Sequence, residues 1–261
     1  MMRPLRRRSE APRRRFRRGV YLLPSIMTLG NMFCGYACVV YAMRGEFETA
    51  APFIGIAMVL DMLDGRIARL TGTSSAFGLE FDSLADVISF GMAPAVLAFA
   101  WGLWPLGRLG WAAGFIFVTA AAMRLARFNI QTAVADKRYF AGMPSPAAAA
   151  VPAATVYFAV TFYPSGLDEY RKALPMLVVV LLPAFLMVST LRFRSFKTID
   201  LQVRRSYFVL LGIALFIAAI ATHPRAMLVL LAYTYLLSGI VGGLTSRLRR
   251  RGERPPTPAA S

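Results

Sequence analysis

The sequence predicts an all-α protein, a polytopic transmembrane helical bundle of about eight spans. The chain has 261 residues, of which 57% are hydrophobic, and its mean hydropathy of +0.55 is that of a membrane protein. Apolar runs long enough to cross a bilayer, about 20 residues each, recur along the chain. Charged residues are concentrated at the chain ends and in the short stretches between the runs.

The predicted spans cover residues 20–43, 50–70, 82–104, 109–128, 143–163, 173–191, 206–222 and 226–244. The second and third spans contain aspartates, which lower the mean hydropathy of both spans. The seventh is short for a span. Because both ends of the chain are basic, the number of spans should be even, and one pair more or less would preserve this.

One transmembrane domain, residues 20–245, is predicted between two basic tails. Residues 1–19 contain nine arginines, and residues 246–261 are basic and then rich in proline and alanine. We expect both tails to be disordered, with the first held near anionic lipid. The net charge of +17 does not indicate a nucleic-acid partner, because no folded reader accompanies the basic run.

The distribution of Lys and Arg predicts the orientation in the membrane. With alternating spans, 25 basic residues fall on the side of the two termini and five on the other. By the positive-inside rule, both termini and the loop at about 70–81 are cytoplasmic. The expected location is therefore the cell (cytoplasmic) membrane, as a multi-pass protein.

Four aspartates stand in the second and third spans. A carboxylate inside a bilayer costs about 2.5–3.5 kcal/mol, so a cluster of four needs compensation. The spacing i, i+3 for the first pair and i, i+4 for the second puts each pair on one helix face. A turn between the helices would bring all four together near the cytoplasmic surface, and the residues concerned are Asp61, Asp64, Asp82 and Asp86.

Divalent cations are the simplest compensation, because hard cations prefer oxygen ligands. Two such ions sharing carboxylates form a clamp suited to phosphoryl-type displacement. Gly65 leaves the backbone open to a ligand, Arg69 can pair with phosphate oxygens, and Ser75 adds a hydroxyl donor. A histidine-based site is not expected, since His223 is the only histidine, and the two cysteines predict no disulfide framework.

These residues form the pattern D-x2-D-G-x2-A-R-x8-G-x3-D-x3-D over residues 61–86. The pattern resembles the signature of the CDP-alcohol phosphotransferases at every defined position. The resemblance implies a helical membrane protein, usually a homodimer, with two Mg²⁺ or Mn²⁺ ions. It implies that the four aspartates bind the metals, that Asp86 is also the general base, and that Gly65, Arg69 and Ser75 contact the CDP-alcohol.

Three further segments resemble bacterial and archaeal phosphatidylserine synthases of the integral-membrane type. They begin at Leu23, Arg124 and Phe140, and read LPSIMTLGNMFCG, RLARFN and FAGMPSPAAA. The resemblance implies CDP-diacylglycerol and L-serine as substrates and CMP as a product, in contact with membrane lipid. Arg124 or Arg127 could hold the serine carboxylate or simply anchor the span, and Asn31 could contact the CDP-alcohol or serine, or only pack between helices.

Three alternatives remain open from the sequence. The acceptor could be glycerol 3-phosphate, an inositol phosphate or another alcohol, with Lys137 and Arg138 adding to a basic cluster. A cation or proton transporter could use intramembrane aspartates, but it should carry polar groups across the full membrane depth. A membrane scaffold would tolerate replacement of all four aspartates. No serine or cysteine nucleophile with a histidine base is visible, so direct transfer without a covalent enzyme intermediate is expected.

Overall fold

In a computed structural model, residues 22–71, 75–134, 142–189 and 206–252 are described, and no strand occurs among them. The first helices are α1 (Leu22–Met43), α2 (Phe47–Thr71) and α3 (Ala76–Asp86). Two π-helical stretches (Val87–Met92 and Phe99–Leu103), separated by α4 (Ala93–Ala98), and a 3₁₀ turn (Trp104–Leu106) continue α3 as one rod. The remaining helices are α5 (Arg108–Val134), α6 (Ser145–Ala159), α7 (Tyr170–Val188), α8 (Ser206–Thr222) and α9 (Pro224–Gly252).

The all-α membrane fold is confirmed, whereas the count of eight spans is not. Five segments of the described chain are long and apolar enough to cross a membrane: Ser25–Met43, Ala76–Leu106, Arg108–Ile130, Tyr170–Val188 and Pro224–Gly243. The helices α6 and α8, of 15 and 17 residues, are short for a span. The 25-residue helix α2 is long enough, but its last turns contain aspartates and arginines.

The connection between α2 and α3 is shorter than the predicted loop at about 70–81. Helix α2 continues to Thr71, and α3 already begins at Ala76. The cause is local, because the Ser75 side chain accepts a hydrogen bond from the Gly78 backbone N–H at 3.0 Å and so caps the new helix. The rings of Phe77 and Phe81 then stack along its first turns.

Helix α9 continues to Gly252, past the end of the predicted eighth span at residue 244 and into the predicted C-terminal tail 246–261, whose disorder stays a prediction. Leucine and arginine are good helix formers, and the basic residues favour the C-terminal end of the helix dipole. The first proline of the tail comes only at Pro255. The tail 1–19, residues 253–261, and Lys137 and Arg138 lie outside the described residues.

Helices approach closely where one of them has a small residue. A Cβ atom on Gly35 of α1 would lie 2.8 Å from the Ser89 Cα in the first π-helical stretch. The side chains of Phe90, Leu97 and Phe117 fill the centre with no exposure, surrounded by many buried alanines. This pattern is typical of membrane bundles, in which close van der Waals packing replaces the hydrophobic effect between helices.

A second polar cluster joins α2, α6 and α9 at the ends remote from the aspartates. The Arg225 guanidinium of α9 pairs with Glu48 of α2 and donates to Thr161, which follows α6. Its Cζ atom also lies 5.2 Å from the centre of the Tyr157 ring. These contacts fix the relative position of the three helices at this end of the bundle.

The crossing at Gly35 gives a stability prediction. Gly35→Ala should lower the free energy of unfolding by about 1–3 kcal/mol, because the added methyl group meets backbone atoms that cannot rotate away. Gly212→Ala in α8 is the matched control, since nothing lies within 4 Å of its added Cβ. Thermal unfolding in detergent measures both variants, and equal effects would contradict the close crossing.

Candidate metal centre

The last turns of α2 and the helix α3 bring carboxylates together as the motif predicts. Asp61, Asp64 and Asp82 each offer one oxygen, and these oxygens all lie within 4.8 Å of one another. Asp64 is only 4% exposed and Asp86 8%. The i, i+3 and i, i+4 spacings thus place the side chains on facing helix surfaces, as expected.

This cluster could hold a metal ion. Two like charges 4 Å apart repel by about 4 kcal/mol at the dielectric of a protein surface, so three carboxylates need a positive partner. One oxygen of Asp82, Oδ1, is buried and has no hydrogen-bond partner. An all-oxygen set with an unpaired carboxylate atom fits a hard divalent cation such as Mg²⁺ or Mn²⁺.

Helix α1 donates side-chain hydrogen bonds to two of the aspartates. Thr28 Oγ1 donates to Asp64 Oδ2 at 3.0 Å, and Asn31 Nδ2 donates to Asp86 Oδ1 at 3.2 Å. Thr28 and Asn31 are i, i+3 on one face of α1, and they are 4% and 0% exposed. A single helix therefore fixes one carboxylate from α2 and one from α3.

Asp86 is held differently from the other three aspartates. It falls outside the set of three converging carboxylates and lies where α3 passes into the π-helical stretch. Its partner Asn31 is itself fixed, because Ser89 Oγ donates to the Asn31 backbone oxygen at 2.9 Å. This geometry leaves Asp86 beside the cluster, with one oxygen positioned by an amide.

Of the two arginines predicted to hold the acceptor, Arg124 points into the site. Its Nη1 donates to Ser145 Oγ at 2.9 Å, and it interacts electrostatically with Asp86 and Asp61. Arg127, one turn further along α5, is exposed. The geometry therefore favours Arg124, and a substrate role for either residue stays a prediction.

The remaining predicted contacts lie on the same side of the bundle. Gly65 follows Asp64 on α2, and its backbone N–H hydrogen-bonds the Asp64 carboxylate. Ser75 is exposed, and its oxygen already accepts the Gly78 N–H as the cap of α3. Arg69 is one turn beyond Gly65 on α2, and its side chain is outside the described part.

Sequence reasoning missed three residues that support the site: Thr28, Ser145 and Tyr235. Thr28 had a signal, since it is the polar residue one turn before Asn31 in an apolar run. Ser145 stood in the segment FAGMPSPAAA, where it is the first residue of α6, but nothing in the sequence marked it as a partner of Arg124. Tyr235, which interacts electrostatically with Arg124, had no signal because only the packing of α9 brings it there.

The contact between Thr28 and Asp64 gives a prediction for metal affinity. Thr28→Val keeps the shape but removes the donor, so Mn²⁺ should bind about 10–100-fold more weakly. Thr119→Val on α5 is the matched control, because that hydroxyl only donates to the Phe115 backbone oxygen. Titration of purified protein with Mn²⁺ measures both variants, and unchanged affinity in Thr28→Val would contradict the supporting role.

Comparison with known proteins agrees with this geometry. Residues 21–191 match the family model described as CDP-alcohol phosphatidyltransferase. The CDP-diacylglycerol–serine O-phosphatidyltransferase of Helicobacter pylori is 37% identical over 222 residues, which cover 85% of this chain and 91% of that protein.

More distant relatives carry the same name. The Mycobacterium leprae protein is 30% identical over 233 residues, covering 86% of this chain and 75% of its own length. The Bacillus subtilis protein is 31% identical over 175 residues, covering 67% of this chain and 91% of its own length. With a membrane bundle, the aspartate cluster and a family match over most of its length, the chain belongs to the CDP-alcohol phosphatidyltransferase family.

Proposed function

We propose that this chain transfers the phosphatidyl group of CDP-diacylglycerol to L-serine, giving phosphatidylserine and CMP. The convergence of Asp61, Asp64 and Asp82 at one end of a membrane bundle, with Asp86 beside them, is the observation that carries the proposal. The relatives named CDP-diacylglycerol–serine O-phosphatidyltransferase support serine as the acceptor.

Two Mg²⁺ or Mn²⁺ ions would be held by the four aspartates. When bound, they would stabilise negative charge on the pyrophosphate and on the departing CMP. Asp82 Oδ1 is buried without a hydrogen-bond partner and would be available to bind a metal ion. Asp64, fixed by Thr28 and the Gly65 N–H, is in a defined orientation to receive one.

Asp86 accepts the proton of the serine hydroxyl. The serine oxygen then attacks the β-phosphorus in line and forms the new P–O bond. The bond from the β-phosphorus to the bridging oxygen breaks, and CMP leaves with that oxygen. Asn31 holds the Asp86 carboxylate at 3.2 Å, so the base keeps one orientation through the transfer.

Gly65, Arg69, Ser75 and Asn31 would contact the CDP-alcohol. The Ser75 oxygen accepts a hydrogen bond from the Gly78 backbone N–H. The Ser75 O–H group therefore remains a donor for a phosphate oxygen. Gly65 lies next to Asp64 of the carboxylate cluster, where the absence of a side chain would let a nucleotide approach the backbone.

A lipid substrate also needs space for its chains. A cavity of about 570 Å³ with an almost wholly apolar lining lies between α2, α6 and α9. It extends from Pro224 and Tyr157 at the far ends of the helices to Tyr235, which interacts with Arg124 at the site. An acyl chain of CDP-diacylglycerol could occupy this cavity while its head group reaches the aspartates.

The distribution of buried polar groups favours an enzyme over a transporter. Within the described residues, the buried polar or charged side chains are Thr28, Asn31, Asp64, Asp86, Ser89 and Ser145. All of them belong to the site or contact a residue of it. A transporter would need such groups across the membrane depth.

The orientation, location and assembly follow from the same proposal. The site faces the cytoplasm of a cell membrane, because serine, CMP and divalent ions are water-soluble and the basic excess lies on that side. Arg44, Arg108 and Arg225 belong to the opposite ends of the helices. We expect a homodimer, as the family resemblance implies.

An acceptor panel tests the function. Purified enzyme with CDP-diacylglycerol and Mg²⁺ or Mn²⁺ should release CMP when L-serine is added, and not with glycerol 3-phosphate or an inositol phosphate. Labelled CMP should not exchange into CDP-diacylglycerol without serine, because the transfer is direct. Release only with another alcohol would overturn the choice of acceptor.

Replacing the base tests the mechanism. Asp86→Asn should lower kcat by about 10²–10⁴-fold, because the amide cannot accept the hydroxyl proton, while CDP-diacylglycerol binding is largely kept. Glu80→Gln is the control, since that carboxylate is exposed on the same helix. Near-normal turnover in Asp86→Asn would remove Asp86 from this role.

A further inference from the structure

Ser145 is a buried hydroxyl that the proposed mechanism does not yet use. It is the first residue of α6 and is 1% exposed. Its oxygen accepts a hydrogen bond from Arg124 Nη1 at 2.9 Å. The contact joins α5 to the start of α6 at the site.

The position of Ser145 is fixed by the chain that precedes it. Gly142 has a φ of +91°, and a Cβ on it would lie 2.3 Å from the Met187 backbone oxygen. The Met143 N–H donates to the Leu186 oxygen at 3.0 Å, and the Met143 side chain has no exposure. The end of α7 therefore holds this segment against the bundle, and Ser145 cannot move far.

Arg124 has more donors than these contacts use. A guanidinium carries five N–H groups in a planar fork, and Arg124 Nε is buried with no partner. An unpaired buried donor costs about 1–3 kcal/mol, so the fold retains this group at a cost. The guanidinium interacts electrostatically with Asp86, Tyr235 and Asp61, so its charge lies within electrostatic range of the proposed base.

We propose that Ser145 is a positioning residue for the acceptor, which acts by fixing the Arg124 guanidinium beside Asp86. In this orientation the free side of the guanidinium receives the carboxylate of the amino-acid acceptor, while the acceptor hydroxyl faces Asp86. Ser145 thereby determines specificity for an acceptor that carries a carboxylate near its hydroxyl. The inference rests on the proposed function and on Arg124, rather than Arg127, as the carboxylate partner.

The chemistry of the pair fits a carboxylate. Arginine binds carboxylates with two parallel N–H donors, which requires the guanidinium plane to be fixed. The Ser145 hydroxyl is neutral: it accepts one N–H group of Arg124 and does not neutralise the positive charge of the guanidinium. An aspartate or glutamate in place of Ser145 would neutralise the guanidinium and compete with the acceptor.

The experiment compares L-serine with serinol, in which a hydroxymethyl group replaces the carboxylate. For Ser145→Ala, the KM for L-serine should rise about tenfold, the equivalent of one charged hydrogen bond. The kcat and the KM for CDP-diacylglycerol should change little. The preference for L-serine over serinol, as the ratio of kcat/KM values, should fall by a similar factor.

Ser83→Ala is the matched control. Ser83 on α3 also accepts a hydrogen bond from an α5 side chain, Asn129 Nδ2 at 2.9 Å, but it does not contact Arg124. The preference for L-serine should be unchanged in this variant. An equal loss of preference in Ser83→Ala would mean that any loosening of α5 produces the effect, and would overturn the assignment.

A double-mutant cycle covers the case in which Ser145→Ala simply perturbs the fold. On an Arg124→Leu background, Ser145→Ala should cause little further rise in the KM for L-serine, because its effect passes through the guanidinium. Additive effects would overturn the proposal. If the unaltered enzyme releases no CMP with L-serine, the proposed function fails; if it does and the preference is unaffected by Ser145→Ala, only this inference fails.

Discussion

The mutual repulsion of carboxylates packed between membrane helices is the constraint on which the rest of the structure depends. Three aspartate oxygens within 4.8 Å of one another are stable only if each carboxylate is oriented and the charge is compensated. Helix α1 supplies the orientation, because Thr28 and Asn31 reach one aspartate on α2 and one on α3. Arg124 contributes a positive charge from α5. The remaining excess of negative charge would attract divalent cations to the site.

The two ends of the bundle differ in their polar residues. The buried polar groups of the described chain gather around the aspartates, whereas the middle is packed with alanine and aromatic side chains. At the far ends, Arg225 joins α2 to α9 and to the segment after α6. An apolar cavity extends between these three helices towards the site. This division suits a reaction in which a lipid donor must meet a water-soluble acceptor at one membrane surface.

Acceptor recognition places a further demand on the same helices. Asp86 and Arg124 have opposite charges and interact, yet in the proposed reaction they bind different groups of one small molecule. Separate neutral anchors resolve this conflict, since Asn31 holds the carboxylate and Ser145 holds the guanidinium. Both anchors are almost fully buried. Neither anchor carries a charge, so each orients a charged group without neutralising it.

The sequence by itself determined the helical membrane fold, the position of most helices and the aspartate cluster. These properties depend on local hydropathy and on helical spacing, both of which can be read along the chain. It placed the start of α3 too late because it did not recognise Ser75 as a cap. Only the tertiary structure decided which side chains support the site. Thr28, Ser145 and Tyr235 come from three helices distant in sequence, and Arg124 was separated from Arg127 only by burial. Those choices depend on how the helices rotate and pack against each other, which no local pattern encodes.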